Sequence, residues 1–318
     1  MSRALNDSPL VSRETRDEIV ALAAKTGYVI NASARSLRRQ SSEAIGIVIP
    51  LRPESGQTIS DPFFLEILGA VSHAASKQGF DLIVTVPEDV SEIAERRLLL
   101  TGRADGLIIL GQAGRIERLN ALGELSDKIV VWGGKLKGST YTLVGSDNRL
   151  GGRLAAEHLI EAGRKRLLFI GDNTLPEVDL RFKGFLDAHA TAGLRHAPAR
   201  ILSIDFGSVT AFSRIAEFLP KAPPFDAVFA ASDVLAIAAI QALTAAGRRV
   251  PEDVSVVGYD NIGASALTVP GLTTVTQNIR LAGEIMVDLL IRKLAGETVQ
   301  SRTVPTGLIV RESSIPKR

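Results

Sequence analysis

Few side chains in this sequence could do catalytic chemistry, and those few are not grouped. The sequence has no cysteine, which excludes thiolate nucleophiles, thiolate metal sites and disulfides. It has no Walker loop, no G-x-G-x-x-G after a strand, no H-E-x-x-H and no G-x-S-x-G elbow. Residues 205–207 spell the DFG triplet of kinases without the other kinase motifs, and the four histidines are scattered: His73, His158, His189 and His196. Because no nucleophile, base and orienting group come together, we predict that the protein is not an enzyme and needs no metal or cofactor.

Short apolar runs rich in β-branched residues alternate with helical patterns from residue 44 onward. Continuous runs without polar alternation are typical of strands buried on both faces of a parallel sheet. The runs are IGIVI (45–49), DLIVTV (81–86), GLIIL (106–110), KIVVW (128–132), RLLFIG (166–171), RILSI (200–204), DAVFA (226–230) and VSVVGYD (254–260). They predict an α/β fold with parallel sheets.

The helical stretches follow the same plan in both halves of the chain. In FLEILGAVSHAASKQG (64–79), Ile67, Val71 and Ala75 recur at helical spacing, and Gly79 can end the helix. The later stretches 150–171 and 234–260 each contain a helix, a glycine stop and a strand. We therefore predict two similar, doubly wound lobes that meet near residues 145–148. Because open parallel sheets bind ligands beyond the carboxyl ends of their strands, the cleft between the lobes is the predicted ligand site.

Positive charge is concentrated near the N-terminus. Residues 1–40 hold seven Lys and Arg against four acids, whereas the whole chain has a net charge of only +2. This favours an anionic partner for the segment, the alternative being a solvated basic surface. No apolar run approaches the roughly 20 residues that span a bilayer, and the first residues lack a secretory pattern, so we expect a cytoplasmic protein.

Residues 11–28, VSRETRDEIVALAAKTGY, predict one confident helix in this basic segment. Ser12 is a good N-cap, Gly27 can close the helix, and Ile19 and Leu22 share its apolar face. Forty residues with so few large apolar groups cannot hold a stable core alone. We expect a domain that is incomplete or that becomes ordered on a partner.

Ordered motifs extend from residue 2 to residue 314. In the N-terminal segment they are SRALND, VSRETRDEI, GYVIN and ARSLR; in the body they are IGIVIP, LVGSDNRLGGRLAAEHLIEAGRKRLLFIGD, RFKGF, ASDVLAIAAIQAL, GRRVPEDVSVVGYDN, LTTVTQNIRLAGE and PTGLIVRESS. This set resembles the lactose/galactose repressor family. In that family the first four motifs are the end of the recognition helix, the third helix, a Tyr-x-x-Asn turn and the hinge helix.

The resemblance implies a helix-turn-helix headpiece followed by a body like a periplasmic binding protein. Residues 1–40 would form a partial headpiece, with the hinge helix at about 32–39. Residues 44–146 and 278–305 would form the N-terminal lobe, and residues 147–277 and 306–318 the C-terminal lobe. The implied fold is α/β, with two doubly wound parallel-sheet lobes after a partial all-α headpiece.

The resemblance also implies that the headpiece binds operator DNA. Two headpieces of a dimer would enter successive major grooves, and the hinge leucine would wedge a base step in the minor groove. Arg3 would contact guanine or phosphate, and Tyr28, Asn31 and Arg35 mainly the backbone. The full predicted DNA-binding set is Ser2, Arg3, Asn6, Tyr28, Asn31, Arg35 and Leu37.

The family's first helix, turn and front of the recognition helix have no counterpart in the sequence given. Two explanations compete: a true truncation, or a start assigned too late at a codon that encodes valine in relatives. We favour the second because the residues from Ser2 onward are those that a working headpiece needs. As it stands, the segment should bind DNA poorly.

The effector of the family lies between the lobes, and the resemblance assigns eight side chains to its pocket: Phe63, Phe64, Trp132, Arg181, Phe206, Ser232, Asp260 and Gln277. The aromatic residues offer flat faces for the CH side of a pyranose, and the polar ones can fix its hydroxyls. The same groups could sandwich a nucleobase. Other roles stay open at this stage: the core for Phe64 and Phe206, a turn cap for Asp260, and a surface ion pair for Arg181.

Together these features imply a ligand-responsive transcriptional regulator, a repressor whose effector is a sugar. Its expected partners are operator DNA, when the headpiece is complete, and a second copy of the chain in a homodimer. A nucleobase or nucleoside is the alternative effector. The alternative functions are a truncated family member that cannot bind DNA and a sugar-binding receptor without DNA binding.

Overall fold

The computed structural model describes residues 10–26, 41–51, 56–87, 93–112, 116–206 and 208–315. Its first described element is helix α1, Arg13–Thr26. Ser12 caps this helix, since its Oγ accepts a hydrogen bond from the Thr15 N–H at 3.3 Å. Leu22 remains half exposed.

The N-terminal lobe is built on a six-stranded parallel sheet in the order β11-β5-β4-β3-β1-β2. Its strands are β1 (Ala44–Val48), β2 (Asp81–Thr85), β3 (Gly106–Leu110), β4 (Ile129–Trp132), β5 (Leu143–Ser146) and β11 (Arg302–Val304). Its helices are α2 (Pro62–Lys77), α3 (Ile93–Leu100), α4 (Ile116–Leu125) and α9 (Ile279–Leu294).

Both faces of this sheet are covered, as the continuous apolar runs predicted. Strands β1, β3 and β4 are buried along their whole length. One face packs on α2 and α9, and Ile67 and Val71 of α2 are fully buried there. The other face packs on α3 and α4 through Leu98, Leu119 and neighbouring residues. The resulting core holds the carboxyl ends of the strands in fixed positions.

The C-terminal lobe repeats the plan with the sheet order β12-β10-β9-β8-β6-β7. Its strands are β6 (Leu167–Ile170), β7 (Ile201–Leu202), β8 (Ala227–Ala230), β9 (Ser255–Asp260), β10 (Thr273–Thr276) and β12 (Gly307–Ile309). All neighbours pair in parallel except β10 and β12, which are antiparallel. Its helices are α5 (Asn148–Glu161), α6 (Pro176–Thr191), α7 (Ser208–Phe218) and α8 (Asp233–Ala245).

Three crossovers join the two sheets: β5 leads into α5, β10 leads into α9, and β11 leads into β12. The first and the third are tied to each other, because the Asp147 N–H donates to Thr306 Oγ1 at 3.0 Å. On the far side of the cleft, Glu66 Oε1 of α2 accepts a hydrogen bond from the Gly263 N–H at 2.7 Å. The lobes are thus connected at the crossovers and in contact across the cleft.

The predicted α/β fold with two doubly wound lobes is confirmed. The strand expected at 200–204 is shorter, because β7 lies at the sheet edge and pairs only with Phe169 and Ile170 of β6. The exact division of the chain into headpiece and lobes stays a prediction. Within the described ranges, no helix has the length and apolar character needed to cross a membrane.

Candidate ligand-binding site

A cavity of about 790 Å³, counting the part open to solvent, lies between the lobes at the carboxyl ends of both sheets. The structure brings all eight predicted effector residues to its wall: Phe63, Phe64, Trp132, Arg181, Phe206, Ser232, Asp260 and Gln277. That the eight side chains contact an effector stays a prediction.

Aromatic side chains form the wall on the N-terminal lobe. Phe63 and Phe64 begin α2, where Asp61 caps the helix by accepting a hydrogen bond from the Phe63 N–H at 3.1 Å. The Phe63 ring lies 5.7 Å from the Phe64 ring and 6.2 Å from Trp132, centre to centre. Phe64 is also part of the lobe core, as considered for it, and its contact with an effector stays a prediction. Aromatic faces of this kind suit the CH surface of a sugar ring.

Arg181 comes from α6 and is 5% exposed, so the surface ion pair considered for it is wrong. Its Nε donates to Asn148 Oδ1 at 2.8 Å, and its Nη1 donates to the Ala231 carbonyl. The guanidinium also lies over the Tyr259 ring, 3.7 Å from the ring centre. These contacts fix the Arg181 side chain beside the cavity.

Asp260 ends β9 and is almost fully buried at the cavity wall. Its Oδ1 accepts a hydrogen bond from Gln277 Nε2 at 2.6 Å and lies 3.9 Å from Arg181 Nη1. Its φ of 114° is in a region that residues other than glycine rarely adopt, a kind of strain that clusters at functional sites. Burial raises the pKa of its carboxyl to about 7, although Arg181 and Gln277 oppose the rise.

Gln277 links Asp260 to the crossovers. It follows β10, and its Oε1 accepts a hydrogen bond from Ser146 Oγ at 2.7 Å while its Nε2 donates to Asp260. Ser146 is the last residue of β5, directly before the crossover into α5. A ligand that engages Asp260 would therefore act on two crossovers through one amide.

Ser232 and Asp233 support the wall of the C-terminal lobe. Ser232 caps α8 by accepting a hydrogen bond from the Leu235 N–H at 3.2 Å. Asp233 accepts from Thr274 Oγ1 at 2.5 Å and from the Ile262 N–H at 2.9 Å, which holds the segment after Asp260. Burial and the Asp260 charge raise the pKa of the Asp233 carboxyl well above its usual range.

Sequence reasoning missed further polar groups at the wall, namely Gln57, Asp61, Gln112 and Glu177. Gln112 had a usable signal, because it follows the predicted strand at 106–110. It is fully buried and donates to Tyr141 Oη at 2.7 Å and to the Gly134 carbonyl at 3.0 Å. Gln57 and Asp61 precede a helix and had no such signal.

The histidines do not form a site at the cavity. His158 is half-buried and lies 2.8 Å from Ser314 Oγ, and burial lowers its pKa. His189 and His196 pack on Phe185 in the C-terminal lobe, with 5.3 Å between the two ring centres. In the part of the chain that the structure describes, no group of three or more acidic or histidine side chains could hold a metal ion.

The predicted DNA-binding residues Ser2, Arg3, Asn6, Tyr28, Asn31, Arg35 and Leu37 lie outside the described residues. The same holds for the hinge segment at about 32–39. Their contacts with DNA stay a prediction.

Comparison with known proteins points to one group of relatives. Residues 156–314 match the family model of a periplasmic binding protein-like domain. The HTH-type transcriptional regulator CelR of Thermobifida fusca is 34% identical over 98% of this chain and 93% of its own length. A solved complex of the transcriptional regulator CelR with cellobiose is 31% identical, has a TM-score of 0.73 and covers 98% of this chain and 94% of that chain. A LacI family transcriptional regulator from Mycobacterium smegmatis is 27% identical, with a TM-score of 0.73, over 86% of this chain and 99% of its own.

Proposed function

The chain belongs to the LacI family of transcriptional regulators, and we propose that a sugar bound in its cleft controls its binding to operator DNA. It is a ligand-binding regulator and not an enzyme. DNA binding is assigned to residues 1–40, the segment with the excess of positive charge. The expected action is repression.

The observation that carries the sugar assignment is the composition of the two cavity walls. Phe63, Phe64 and Trp132 supply apolar faces on one side, and Arg181 and Asp260 supply a buried donor and acceptor on the other. A pyranose presents the matching pair of surfaces, CH groups on its faces and hydroxyls around its edge. CelR is solved with cellobiose, which makes that disaccharide the first candidate.

Control of DNA binding follows from the position of the cavity. A ligand that prefers one arrangement of the lobes shifts the population toward it, commonly by a coupling of about 1–3 kcal/mol. The chain from Asp260 through Gln277 to Ser146 reaches two of the three crossovers. The hinge segment at about 32–39 precedes β1, so a change in the N-terminal lobe bears directly on it.

We also propose that the protein works as a homodimer in the cytoplasm. Leu267 and Val269 are 83% and 95% exposed, and the turn that precedes them contacts α2 next to the half-exposed Leu65. Leu267 and Val269, the 267–269 patch, suit burial against a second copy, as apolar patches on soluble proteins commonly do. The lack of cysteine suits a reducing compartment.

Isothermal titration calorimetry tests the sugar assignment. Cellobiose, other neutral mono- and disaccharides, and the purines adenine, guanine and hypoxanthine are each titrated into the chain. We expect a saccharide to bind, and Phe63→Ala to weaken it about tenfold through the loss of one aromatic contact of ~1.4 kcal/mol.

The matched control is Phe212→Ala, since Phe212 is 41% exposed on α7 and does not line the cavity. This variant should keep the affinity of the parent chain. Binding of a purine with no response to any saccharide would overturn the sugar assignment in favour of a nucleobase effector.

A further inference from the structure

We infer that the cavity selects saccharides without an anionic group and excludes sugar phosphates and sugar acids, with Asp61 as a residue that determines this specificity. The inference rests on the proposed function, because it concerns the same cavity and defines the chemical class of its sugar. It follows from three features: the charged groups at the cavity wall, the hydrogen bonds of Arg181, and the N-terminal caps of α2 and α8.

Carboxyl groups outnumber cationic groups around the cavity. Three carboxyl groups line it, Asp61 from the N-terminal lobe and Glu177 and Asp260 from the C-terminal lobe, against one guanidinium, Arg181. Asp61 and Asp260 interact electrostatically across the cleft, because the charge of Asp61 contributes to raising the pKa of Asp260. An anionic ligand would enter a partly buried site of like charge, which disfavours its binding.

The guanidinium is engaged by the protein on two of its nitrogens. Arg181 Nε bonds to Asn148, Nη1 bonds to the Ala231 carbonyl, and Tyr259 covers one face of the group. Asp260 lies 3.9 Å from Nη1 and balances its charge. Bidentate recognition of a phosphate or carboxylate uses two parallel N–H groups of one arginine. In Arg181, two of the three guanidinium nitrogens already donate to acceptors of the protein.

Side chains of the protein cap two of the helix N-termini at the cavity, those of α2 and α8. A free helix N-terminus is a favourable place for a phosphate, because its N–H groups and dipole attract negative charge. At α2, the Asp61 carboxylate accepts from the Phe63 N–H and supplies that negative charge itself. At α8, Ser232 Oγ accepts from the Leu235 N–H. The N-terminus of α6 also borders the cavity and has no side-chain cap, but its first turn carries Glu177 and Asp179, whose negative charge opposes an anion there.

The test compares neutral and anionic forms of the same sugar by calorimetry at low ionic strength. The pairs are glucose with glucose 6-phosphate and cellobiose with cellobionic acid. We expect the neutral member of any binding pair to bind about 100-fold more tightly, which is the scale of one like-charge interaction at about 6 Å in a partly buried site. An anionic sugar that binds as tightly as its neutral form, or more tightly, would overturn the inference.

The variant Asp61→Asn keeps a good helix cap and removes one charge. It should lower the ratio of the affinity for the neutral saccharide to the affinity for the anionic saccharide about tenfold. A purely structural role of Asp61 would lower both affinities and leave the ratio unchanged, which would contradict its role in specificity. The control Glu217→Gln removes an exposed carboxylate on α7, which lies outside the cavity, and should leave the ratio as it is.

Failure of the proposed function gives a different result. If no saccharide of either charge binds while a purine does, the sugar assignment falls and this inference falls with it. If neutral and anionic saccharides both bind equally, the sugar assignment stands and only the charge selection is lost.

Discussion

At the scale of single residues, Asp260 lies at the cavity wall at a cost to the stability of the folded protein. Burial raises the pKa of its carboxyl from 3.8 to about 7. Between these values the folded protein holds a proton that the unfolded chain has released. The stability that this proton gives the folded protein is fully present below pH 3.8, the pKa in the unfolded chain. It is lost as the pH rises through about 7, the pKa in the folded protein.

Asp260→Asn removes this dependence. The asparagine oxygen can still accept the bond from Gln277, so the fold is kept and the buried charge is gone. We expect the variant to gain stability relative to the parent chain as the pH rises from about 5 to about 8, measured as the urea midpoint across that range. The exposed control Asp288→Asn should follow the parent. If the urea midpoints of Asp260→Asn and the parent change with pH in parallel, the raised pKa assigned to Asp260 is contradicted.

At the scale of elements, the packing of α5 against α6 positions Arg181. Gly152 of α5 faces the backbone of Arg181, and Gly184 of α6 faces the backbone of Arg149. A Cβ at either position would clash with main-chain atoms, which cannot move aside as the end of a flexible side chain can. The close contact of these helices sets where the guanidinium meets the cavity.

Gly152→Ala should therefore lower the free energy of unfolding by about 3 kcal/mol or more and weaken effector binding. Chemical denaturation and calorimetry measure the two effects. The same substitution at Gly123 of α4 is the control, because a Cβ there meets its nearest neighbours at an ordinary 3.8 Å. Gly123→Ala should be neutral or stabilise by up to about 1 kcal/mol. Equal stability of the two variants would refute the packing argument.

Much of the fold could be predicted from sequence because its central strands are buried on both faces. Runs such as GLIIL at 106–110 bury every residue, so composition alone marks them. The apolar runs did not mark the short strands β5, β10, β11 and β12. Segments such as Arg302–Val304 owe their conformation to a partner strand distant in sequence. The boundary of β7 was missed for the same reason.

The residues of the candidate site also differ in whether the sequence could predict them. Residues such as Trp132 and Asp260 end strands that the pattern located, and the family resemblance singled them out. Asp61 and Gln57 reach the cavity from the loop before α2, and the path of that loop depends on long-range packing. Sequence periodicity carries no information on such a path.

At the scale of the whole molecule, two sheets joined by three crossovers form one ligand cavity, and the 267–269 patch lies outside it. Leu267→Asp combined with Val269→Asp places charges where a second copy would pack. We expect the parent chain to elute as a dimer and the double variant as a monomer in size-exclusion chromatography with light scattering. Val310→Asp, at a residue that is 51% exposed after β12, is the control and should remain dimeric. A double variant that stays dimeric would show that the copies meet elsewhere.

The most direct test of the central claim is the fluorescence of Trp132 during a saccharide titration. Trp132 is the single tryptophan of the chain and lies at the cavity wall, 6.2 Å from the Phe63 ring. We predict a saturable shift or quenching of its emission, with the same midpoint as calorimetry on the same saccharide. Saccharide binding that calorimetry detects while Trp132 emission stays constant would contradict the account and place the sugar outside this cavity.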